Sequence, residues 1–389
     1  MDAFLVRRSE NHMATTFEFV VSVPAVRTGA AERILAEAHR EAGRLERCLS
    51  EFIADSDVGR LNAAPPGVDV AVGPDCLALL ALSARINRQT GGAFDCTAKT
   101  PGDVSRTGRL TWDTTQGTAR RGHEAVRVGF GAIGKGYALD RVRLLLESEG
   151  MGDYLLVAGG SSIVLSGFAA RGRPWTWMWG WTKDADGKPA GRVFSHASGA
   201  PVALGVSGTQ EQGLHVLDPA SGRAADVNTS ALIAHPSAAA ADALSTALFV
   251  LGWEKGFDRM ADDAAVPGVA LLDGRQVPRW NGVFQRLWGP LDETPAPYSS
   301  RGSFTAVGLT AAALLAPALV RTARAEDEAV DLGALGLNDF NPYMVERHSA
   351  WILLPLLMIG MVCIHLIRPK RRARLITKAT SNPSKGATT

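Results

Sequence analysis

The sequence has few of the features that mark secreted, zinc-finger or nucleic-acid-binding proteins. It contains only four cysteines in 389 residues, and none forms a Cys-x-x-Cys pair. We therefore expect neither a disulfide framework nor a cysteine zinc site. The formal net charge is only +2, which provides no strong field to attract nucleic acid. The opening residues, Met1–Met13, contain no apolar core of a secretion signal, so we expect a globular domain that starts in the cytoplasm.

Two uncharged apolar stretches near the C-terminal end predict membrane helices. Residues 303–320 and 350–367 each run for 18 positions without Lys, Arg, Asp or Glu, close to the ~20 residues that span a bilayer. A basic tail without acidic residues follows position 367 and predicts a cytoplasmic end. We therefore expect attachment to the inner (cell) membrane, with the N-terminal domain in the cytoplasm. An alternative for 303–325 is an internal export signal with a cleavage site.

These patterns divide the chain into three predicted regions. Residues 1–298 form the soluble domain, residues 299–349 hold the first apolar segment and an acidic loop, and residues 350–389 hold a membrane helix and the basic tail. Within the soluble domain, strand and helix patterns mix without a regular β-α-β repeat, which predicts an α+β domain. Apolar spacing predicts helices at 29–51, 74–90, 136–147 and 238–251, and strands at 15–25, 124–128, 154–158, 163–166, 191–198, 201–207, 229–235 and 269–273.

Four tryptophans alternate along one predicted strand, in residues 171–190. They are Trp175, Trp177, Trp179 and Trp181, and a spacing of two places them on one face of a strand. Packing against a core explains such a face better than stacking on a ligand does.

A glycine-rich turn, Gly129–Gly136, lies between a predicted strand and a predicted helix. Such a turn allows backbone N–H groups and the positive end of the helix to approach a phosphate. A tight turn packed against a sheet is the simpler alternative. A dinucleotide-binding fold is a third, because Gly129, Gly131 and Gly134 match its glycine spacing; however, Asp153 precedes the next strand rather than ending it.

Two pairs of residues could carry chemistry. Asp242 and Thr246 are four positions apart on a predicted helix, so their oxygens share one face and could bind Mg²⁺. The alternative is an exposed carboxylate beside a packed threonine. His215 and Asp218 flank a turn, where the histidine could act as a general base or the pair could brace the turn.

Taken together, the sequence resembles the ApbE family of FAD:protein FMN transferases over about residues 12–290. The resemblance depends on seven blocks that occur in order, at Met13–Phe17, Ser56–Asn62, Thr90–Thr97, Phe130–Asp140, Ala158–Ser162, His215–Gly222 and Asp242–Gly252. It implies an ApbE-like, T-fold-like domain of mixed sheets with packed helices. The C-terminal membrane segments are not covered by it.

The resemblance also implies an activity, in which FAD is cleaved and FMN is attached through its phosphate to a Thr or Ser of an acceptor protein. The acceptor would carry a Ser/Thr-Gly-Ala-Thr/Ser motif. Mg²⁺ would bind Asp242, Thr246 and the carbonyl of Ala132, and Lys135 with the glycine loop would face the pyrophosphate. His215, with Asp218 nearby, would take the proton from the acceptor hydroxyl. Further contacts to FAD would come from Met13, Asn62, Phe94, Asp95, Gly131, Gly134, Gly159, Gly160 and Ser161.

The sequence departs from the family pattern at three places. Ser161 replaces the usual asparagine after two glycines, Thr209-Gln210 replace an acidic–aromatic pair, and Phe52 takes the place of the usual aromatic after the first long helix. The changes near Ser161 and Thr209 keep one alternative open, a non-catalytic FAD-binding protein of the same fold. A second alternative, from another class, is a membrane-tethered structural module without nucleotide.

Overall fold

The computed structural model describes residues 3–100, 104, 109–183, 189–196, 198–208, 216–225, 228–261, 268–273 and 278–288. His215, the Thr209-Gln210 departure and both predicted membrane segments lie outside these residues. No helix in the described ranges is both long enough and apolar enough to cross a membrane.

The described part of the chain contains thirteen strands and six α-helices. The helices are α1 (Thr28–Leu49), α2 (Asp57–Ala63), α3 (Pro74–Gln89), α4 (Gly134–Ser148), α5 (Ala238–Ala261) and α6 (Gly282–Trp288). The strands are β1 (Ala3–His12), β2 (Thr15–Pro24), β3 (Val70–Ala71), β4 (Leu110–Asp113), β5 (Thr118–Arg121), β6 (Tyr154–Ala158), β7 (Ser162–Gly167), β8 (Trp175–Lys183), β9 (Pro189–His196), β10 (Ser198–Gly208), β11 (Asn228–His235), β12 (Gly268–Asp273) and β13 (Pro278–Trp280).

An eight-stranded sheet organises the fold, in the order β1-β2-β6-β7-β10-β11-β12-β13. Each neighbouring pair in it is antiparallel. The α+β class is confirmed, but the expectation of sheets with mixed strand direction is wrong for the described strands. The dinucleotide-binding alternative is also excluded, because that fold is built on parallel strands.

Both faces of the large sheet are covered, which makes its central strands apolar on both sides. Helices α1, α4 and α5 pack on one face and enclose the larger core, with Phe17 and Phe19 of β2 fully buried. The β8–β9 ribbon and α6 cover the other face in a second apolar cluster. Burial on both faces explains why β12 contains the uninterrupted apolar run Val269–Leu272 rather than an alternating pattern.

The tryptophans of β8 pack as predicted. Trp175, Trp177 and Trp179 are each only 2–4% exposed and belong to the second cluster. The ring of Trp177 stacks on Phe194 of β9 at a centroid distance of 4.5 Å. The side chain of Trp181 lies outside the described part of the chain.

Helices α4 and α5 approach each other very closely. A Cβ atom added at Gly136 of α4 would lie 2.2 Å from the carbonyl oxygen of Ala238 in α5, so no other residue fits there without moving a helix. Asp140, one turn further along α4, accepts hydrogen bonds from the N–H groups of Ala238 (2.9 Å) and Ala239 (3.1 Å) and from the Ser237 hydroxyl (2.7 Å). A carboxylate on α4 therefore caps the N-terminus of α5.

Several elements differ from the sequence predictions. Six short elements were not predicted, namely α2, α6, β3, β4, β5 and β13. Strand β1 was not predicted either, because its apolar residues end at Val6 and the polar run Arg7–His12 follows. The strand predicted at 124–128 is absent, and those residues have no strand pairing. The predicted end of α5 at Gly252 is confirmed as a break, since Gly252 has φ 74° inside the longer helix.

We predict that Asp140→Ala lowers the free energy of unfolding by about 2 kcal/mol, because three donors at the start of α5 lose their acceptor. Urea denaturation followed by circular dichroism measures the change. Asp69→Ala is the matched control, because Asp69 forms an exposed pair with Arg120 and should change stability by less than about 0.5 kcal/mol. Equal effects of the two substitutions would contradict the capping role.

Candidate functional site

One large cavity, of about 480 Å³, gathers most of the predicted site residues. It lies where the glycine loop, the β6–β7 turn and helix α5 meet strand β10 and the end of β8. Its lining includes Phe94, Asp95, Gly131, Ala132, Lys135, Gly160, Ser161, Asp242 and Thr246. These residues span more than 150 positions of sequence, so the fold brings them together.

Other predicted residues are described but do not line this cavity. They are Met13, Asn62, Gly134, Gly159 and Asp218. Met13 lies in the β1–β2 turn with φ 51°, and Gly159 has φ 59° with a Cβ position only 2.6 Å from the Thr15 hydroxyl. Gly134 begins helix α4. Their roles toward FAD stay predictions.

The glycine loop turns tightly into helix α4. The carbonyl oxygen of Phe130 accepts the N–H groups of Ile133 (3.1 Å) and Gly134 (2.7 Å). A Cβ atom at Gly131 would meet no atom within 4 Å, so packing does not require glycine at that position. Gly131 instead leaves cavity space next to the backbone, where a phosphate could approach.

Side chains hold the segment that leads into this loop. The amide of Asn62 makes both a donor and an acceptor bond with the backbone of Val128, at 2.8 and 2.9 Å. Arg121 is 4% exposed and donates to the carbonyl oxygens of Leu61, Glu124 and Val126. These bonds replace the strand pairing that was predicted for 124–128, and they assign the Asn62 amide to supporting the loop.

Asp242 is the central charged group of the cavity. It is 6% exposed, and its Oδ2 accepts hydrogen bonds from the Gly136 N–H (2.7 Å) and the Ser162 hydroxyl (2.8 Å). Burial raises the pKa of Asp242 to about 6, while the positive charge of Lys135 and these two donors oppose the rise. The carboxylate is therefore poised to exchange a proton for a cation.

The bond from Gly136 satisfies a donor at the start of helix α4. Gly136 lies in the first turn, where backbone N–H groups have no acceptor within the helix, and it donates to Asp242. Ala132 precedes the helix and lines the same cavity as Asp242, so its backbone carbonyl and the Asp242 carboxylate can serve one ligand.

A cluster of hydroxyl groups lies one turn along α5. The Thr246 Oγ1 is 3.1 Å from the carbonyl of Asp242 and 3.1 Å from the Ser207 Oγ on β10. Ser207 also contacts Ser245 at 3.0 Å. Asp242 and Thr246 thus lie on one helix face, as predicted, and they add hydroxyl and carboxylate oxygens to the cavity wall.

Asp218 makes its hydrogen bonds within its own turn. Its Oδ1 accepts from the Ala220 N–H (2.9 Å) and its Oδ2 from the Ser221 hydroxyl (2.8 Å). This geometry favours the turn-bracing interpretation of Asp218. The neighbouring residues Leu217 and Pro219 do line the cavity, so this turn forms part of its wall.

A family model described as the ApbE family matches residues 13–269. The chain belongs to the ApbE family. Its relatives include the FAD:protein FMN transferase of Klebsiella pneumoniae, 26% identical over 293 residues, or 67% of this chain and 83% of the relative. The FAD:protein FMN transferase of Salmonella typhimurium is 25% identical over 265 residues, or 60% of this chain and 75% of the relative.

Solved structures of ApbE proteins confirm the fold. The flavin transferase ApbE from Vibrio cholerae matches with a TM-score of 0.62 at 22% identity, covering 73% of this chain and 99% of that one. The apo form of the Pseudomonas stutzeri flavinyl transferase ApbE matches with a TM-score of 0.63 at 24% identity, covering 74% and 98%. The resemblance inferred from seven sequence blocks is therefore confirmed.

Two residues at or behind the cavity of this ApbE chain were not predicted as site residues, namely Trp179 and Ser162. Trp179 lines the cavity, and its Nε1 donates to the Ser230 hydroxyl at 2.9 Å. The alternation of tryptophans predicts a packed strand face, but it does not predict which of the rings also contacts the cavity. Ser162, the second donor to Asp242, belongs to the block Ala158–Ser162, but no role was predicted for its side chain. Its proximity to Asp242 depends on β7 and α5 packing together.

The rim of the cavity carries a cation–π contact and an ion pair. Lys99 Nζ lies 2.7 and 2.8 Å from the two carboxylate oxygens of Glu51 and 5.5 Å from the ring centroid of Phe52. Phe52 is 86% exposed and lines the cavity, so its ring is accessible to a ligand there.

We predict that Asn62→Ala lowers the free energy of unfolding by about 1–3 kcal/mol, because the N–H and C=O of Val128 both lose their partner. Thermal and urea denaturation measure this loss. Asn11→Ala is the matched control, because Asn11 is exposed and accepts one bond from Thr16. If Asn62→Ala unfolds like the control, the supporting role is wrong.

Proposed function

We propose that this chain is an FAD:protein FMN transferase. It cleaves the pyrophosphate of FAD, releases AMP and joins the FMN phosphate to a Thr or Ser hydroxyl of an acceptor protein. One observation carries the proposal, which is the convergence of Asp242, Thr246, Ala132 and Lys135 on a single cavity of an ApbE-family chain.

The oxygens of this cavity fit Mg²⁺. A buried carboxylate at Asp242, a hydroxyl at Thr246 and the backbone carbonyl of Ala132, all from residues that line the cavity, form the hard, all-oxygen set that Mg²⁺ binds. The hydrogen bonds to Asp242 described above both end on Oδ2, so they orient the carboxylate and leave Oδ1 for the cation. When bound, Mg²⁺ supplies positive charge to the pyrophosphate oxygens.

Lys135 and the glycine loop act on the same phosphates. Lys135 lines the cavity one residue before Gly136 and interacts electrostatically with Asp242. A lysine at this position stabilises the charge that develops on the phosphates during transfer. The open space beside Gly131 allows the backbone to follow the pyrophosphate closely.

Apolar walls fit the flat rings of FAD. Phe94, Met178, Trp179 and Val206 line the cavity opposite its polar residues, and large apolar surfaces of this kind bind aromatic rings. Phe52 at the rim offers an exposed ring for stacking. These residues bind and orient FAD and exclude water from the phosphates.

We further propose that His215 takes the proton from the acceptor hydroxyl and that Asp218 positions the turn. The support is chemical, since a neutral imidazole accepts a proton near pH 7, and local, since Leu217 and Pro219 line the cavity. The acceptor would present a Ser/Thr-Gly-Ala-Thr/Ser motif at this side of the cavity.

A non-catalytic FAD-binding protein is the second candidate. Ser161 lines the cavity at the position where the family pattern has asparagine. The serine side chain is shorter than asparagine and would not make the same contact to the nucleotide. Its loss could weaken the cleavage of FAD more than the binding of FAD.

Membrane attachment through residues 303–320 and 350–367, with the catalytic domain on the cytoplasmic side, completes the proposal. Its support is the length and apolar character of these segments and the basic tail that follows. Recovery of the full chain in the carbonate-washed membrane fraction is expected, and recovery in the wash would contradict attachment.

The decisive experiment incubates the full chain with FAD, Mg²⁺ and an acceptor protein that carries the motif. Covalent flavin fluorescence on the acceptor, with release of AMP, is expected. Bound but uncleaved FAD would favour the second candidate, and no FAD uptake would favour a structural module. An acceptor whose motif ends in Ala instead of Thr or Ser is the control and should stay unlabelled.

We predict that Asp242→Asn slows transfer at least about 100-fold, because the neutral amide no longer balances the cation. Thr246→Val should slow it about tenfold, whereas Thr246→Ser keeps the hydroxyl and most of the rate. Single-turnover assays at saturating FAD measure these rates. Asp113→Asn, in an exposed turn, is the control, and full activity of Asp242→Asn would overturn the metal assignment.

We predict that divalent cation affinity falls as the pH is lowered from 7.5 to 5.5. The Asp242 carboxyl, with a pKa raised to about 6, is mostly ionised at the higher pH and mostly protonated at the lower one. The proton competes with the cation, so binding should weaken about fourfold. Mn²⁺ titration followed by electron paramagnetic resonance of the FAD-bound protein measures it. Unchanged affinity would contradict direct ligation by Asp242.

A further inference from the structure

A second cluster of potential ligands lies where strand β1 meets helix α1. Glu10 and His12 of β1 and His39 of α1 each offer one ligand atom, and these atoms all lie within 4.8 Å of one another. His12 is 9% exposed and His39 is 1% exposed. None of the three lines the large cavity, so this cluster is separate from the FAD site.

The spacing of the two ring nitrogens matches a coordination site. The His12 Nε2 and the His39 Nδ1 are 3.2 Å apart. Zinc binds histidine nitrogens at about 2.0–2.1 Å in tetrahedral geometry, and this places two such nitrogens about 3.3 Å apart. In the metal-free protein, a proton on one of these nitrogens allows it to donate a hydrogen bond to the other. A bound cation would instead accept the lone pairs of both nitrogens.

The outer atoms of the cluster are held as in metal sites. The His39 Nε2 lies 3.2 Å from the Arg8 carbonyl oxygen, so its N–H donates there and the lone pair stays on Nδ1. Arg8 also donates from its side chain to the Glu10 Oε1 at 2.6 Å, which leaves Oε2, 3.9 Å from the His12 Nε2. Backbone and side-chain partners of this kind orient histidine and carboxylate ligands.

Acidic side chains lie around the cluster as well as arginines. The same residues line a cavity of about 350 Å³, together with Arg8, Arg40 and Arg47. Arg8 pairs with Glu10, Arg40 lies 3.8 Å from Glu37, and a Glu46 carboxylate oxygen lies 3.9 Å from the His12 Nδ1. The cavity gives room for a water molecule as a fourth ligand, as zinc sites with three protein ligands have.

We propose that Glu10, His12 and His39 bind a divalent transition-metal ion, with Zn²⁺ as the preferred ion. Two imidazoles and one carboxylate suit zinc better than magnesium, which prefers oxygen ligands. The ion fastens β1 to α1 directly before the β1–β2 turn. That turn holds Met13 and Ala14 at φ 51° and 59°, a left-handed geometry that is uncommon for non-glycine residues and that a two-residue hairpin turn requires.

The test measures zinc binding to the full chain, purified without a histidine tag and saturated with Mg²⁺ to occupy the site at Asp242. Isothermal titration should show one Zn²⁺ per chain, and the melting temperature should rise with Zn²⁺ concentration. Glu10→Gln and His39→Gln should each weaken binding at least about tenfold. The exposed residues His123 and Glu32 supply matched controls, His123→Gln and Glu32→Gln, which should bind like the native chain.

Cobalt provides an independent readout of geometry. Co²⁺ bound to the native chain should show the intense visible absorption of a four-coordinate ion, and this absorption should disappear in His39→Gln. Glu10 lies on the edge strand β1 and is less buried than His39, so we expect Glu10→Gln to fold. This variant therefore still tests the site if His39→Gln does not fold. Native-like binding by both variants, or loss of the zinc site in Asp242→Asn instead, would overturn the proposal.

Discussion

The hydrogen bonds that end on one oxygen of Asp242 hold the functional site together. They join helix α5 to the start of α4 through Gly136 and to strand β7 through Ser162. A buried carboxylate needs such donors, because an unpaired charge in a low-dielectric interior is costly. The same bonds bring the glycine loop to the carboxylate, and Ala132 of that loop lines the cavity beside Asp242.

This arrangement requires helices α4 and α5 to touch at their backbones. The absence of a side chain at Gly136 permits the contact, and Asp140 secures it by capping α5. Gly205 of β10 plays the matching part on the sheet side, since a Cβ there would lie 2.2 Å from the backbone of Ala241. Small residues thus bring the sheet and helix α4 close to helix α5, and the oxygens of Ala132, Asp242 and Thr246 line one cavity.

The sequence supported most of the fold and much of the site, for identifiable reasons. Apolar residues at helical spacing, together with start signals such as Pro74, located helices α1, α3 and α5 in the sequence. The role of Asn62 could not be read in this way. Its block marked it as a site residue, yet its amide is used by Val128, a partner 66 positions away.

The sequence by itself determined the family, the α+β class and the pairing of Asp242 with Thr246, because these depend on local order and on spacing along one helix. The tertiary structure alone decided how these residues cooperate. It raised the pKa of Asp242 through burial, brought the Gly136 N–H to Asp242 as a hydrogen-bond donor, and brought Trp179 from the second layer to the cavity. It also placed His12 beside His39. Such contacts arise between residues far apart in the chain, and no local pattern encodes them.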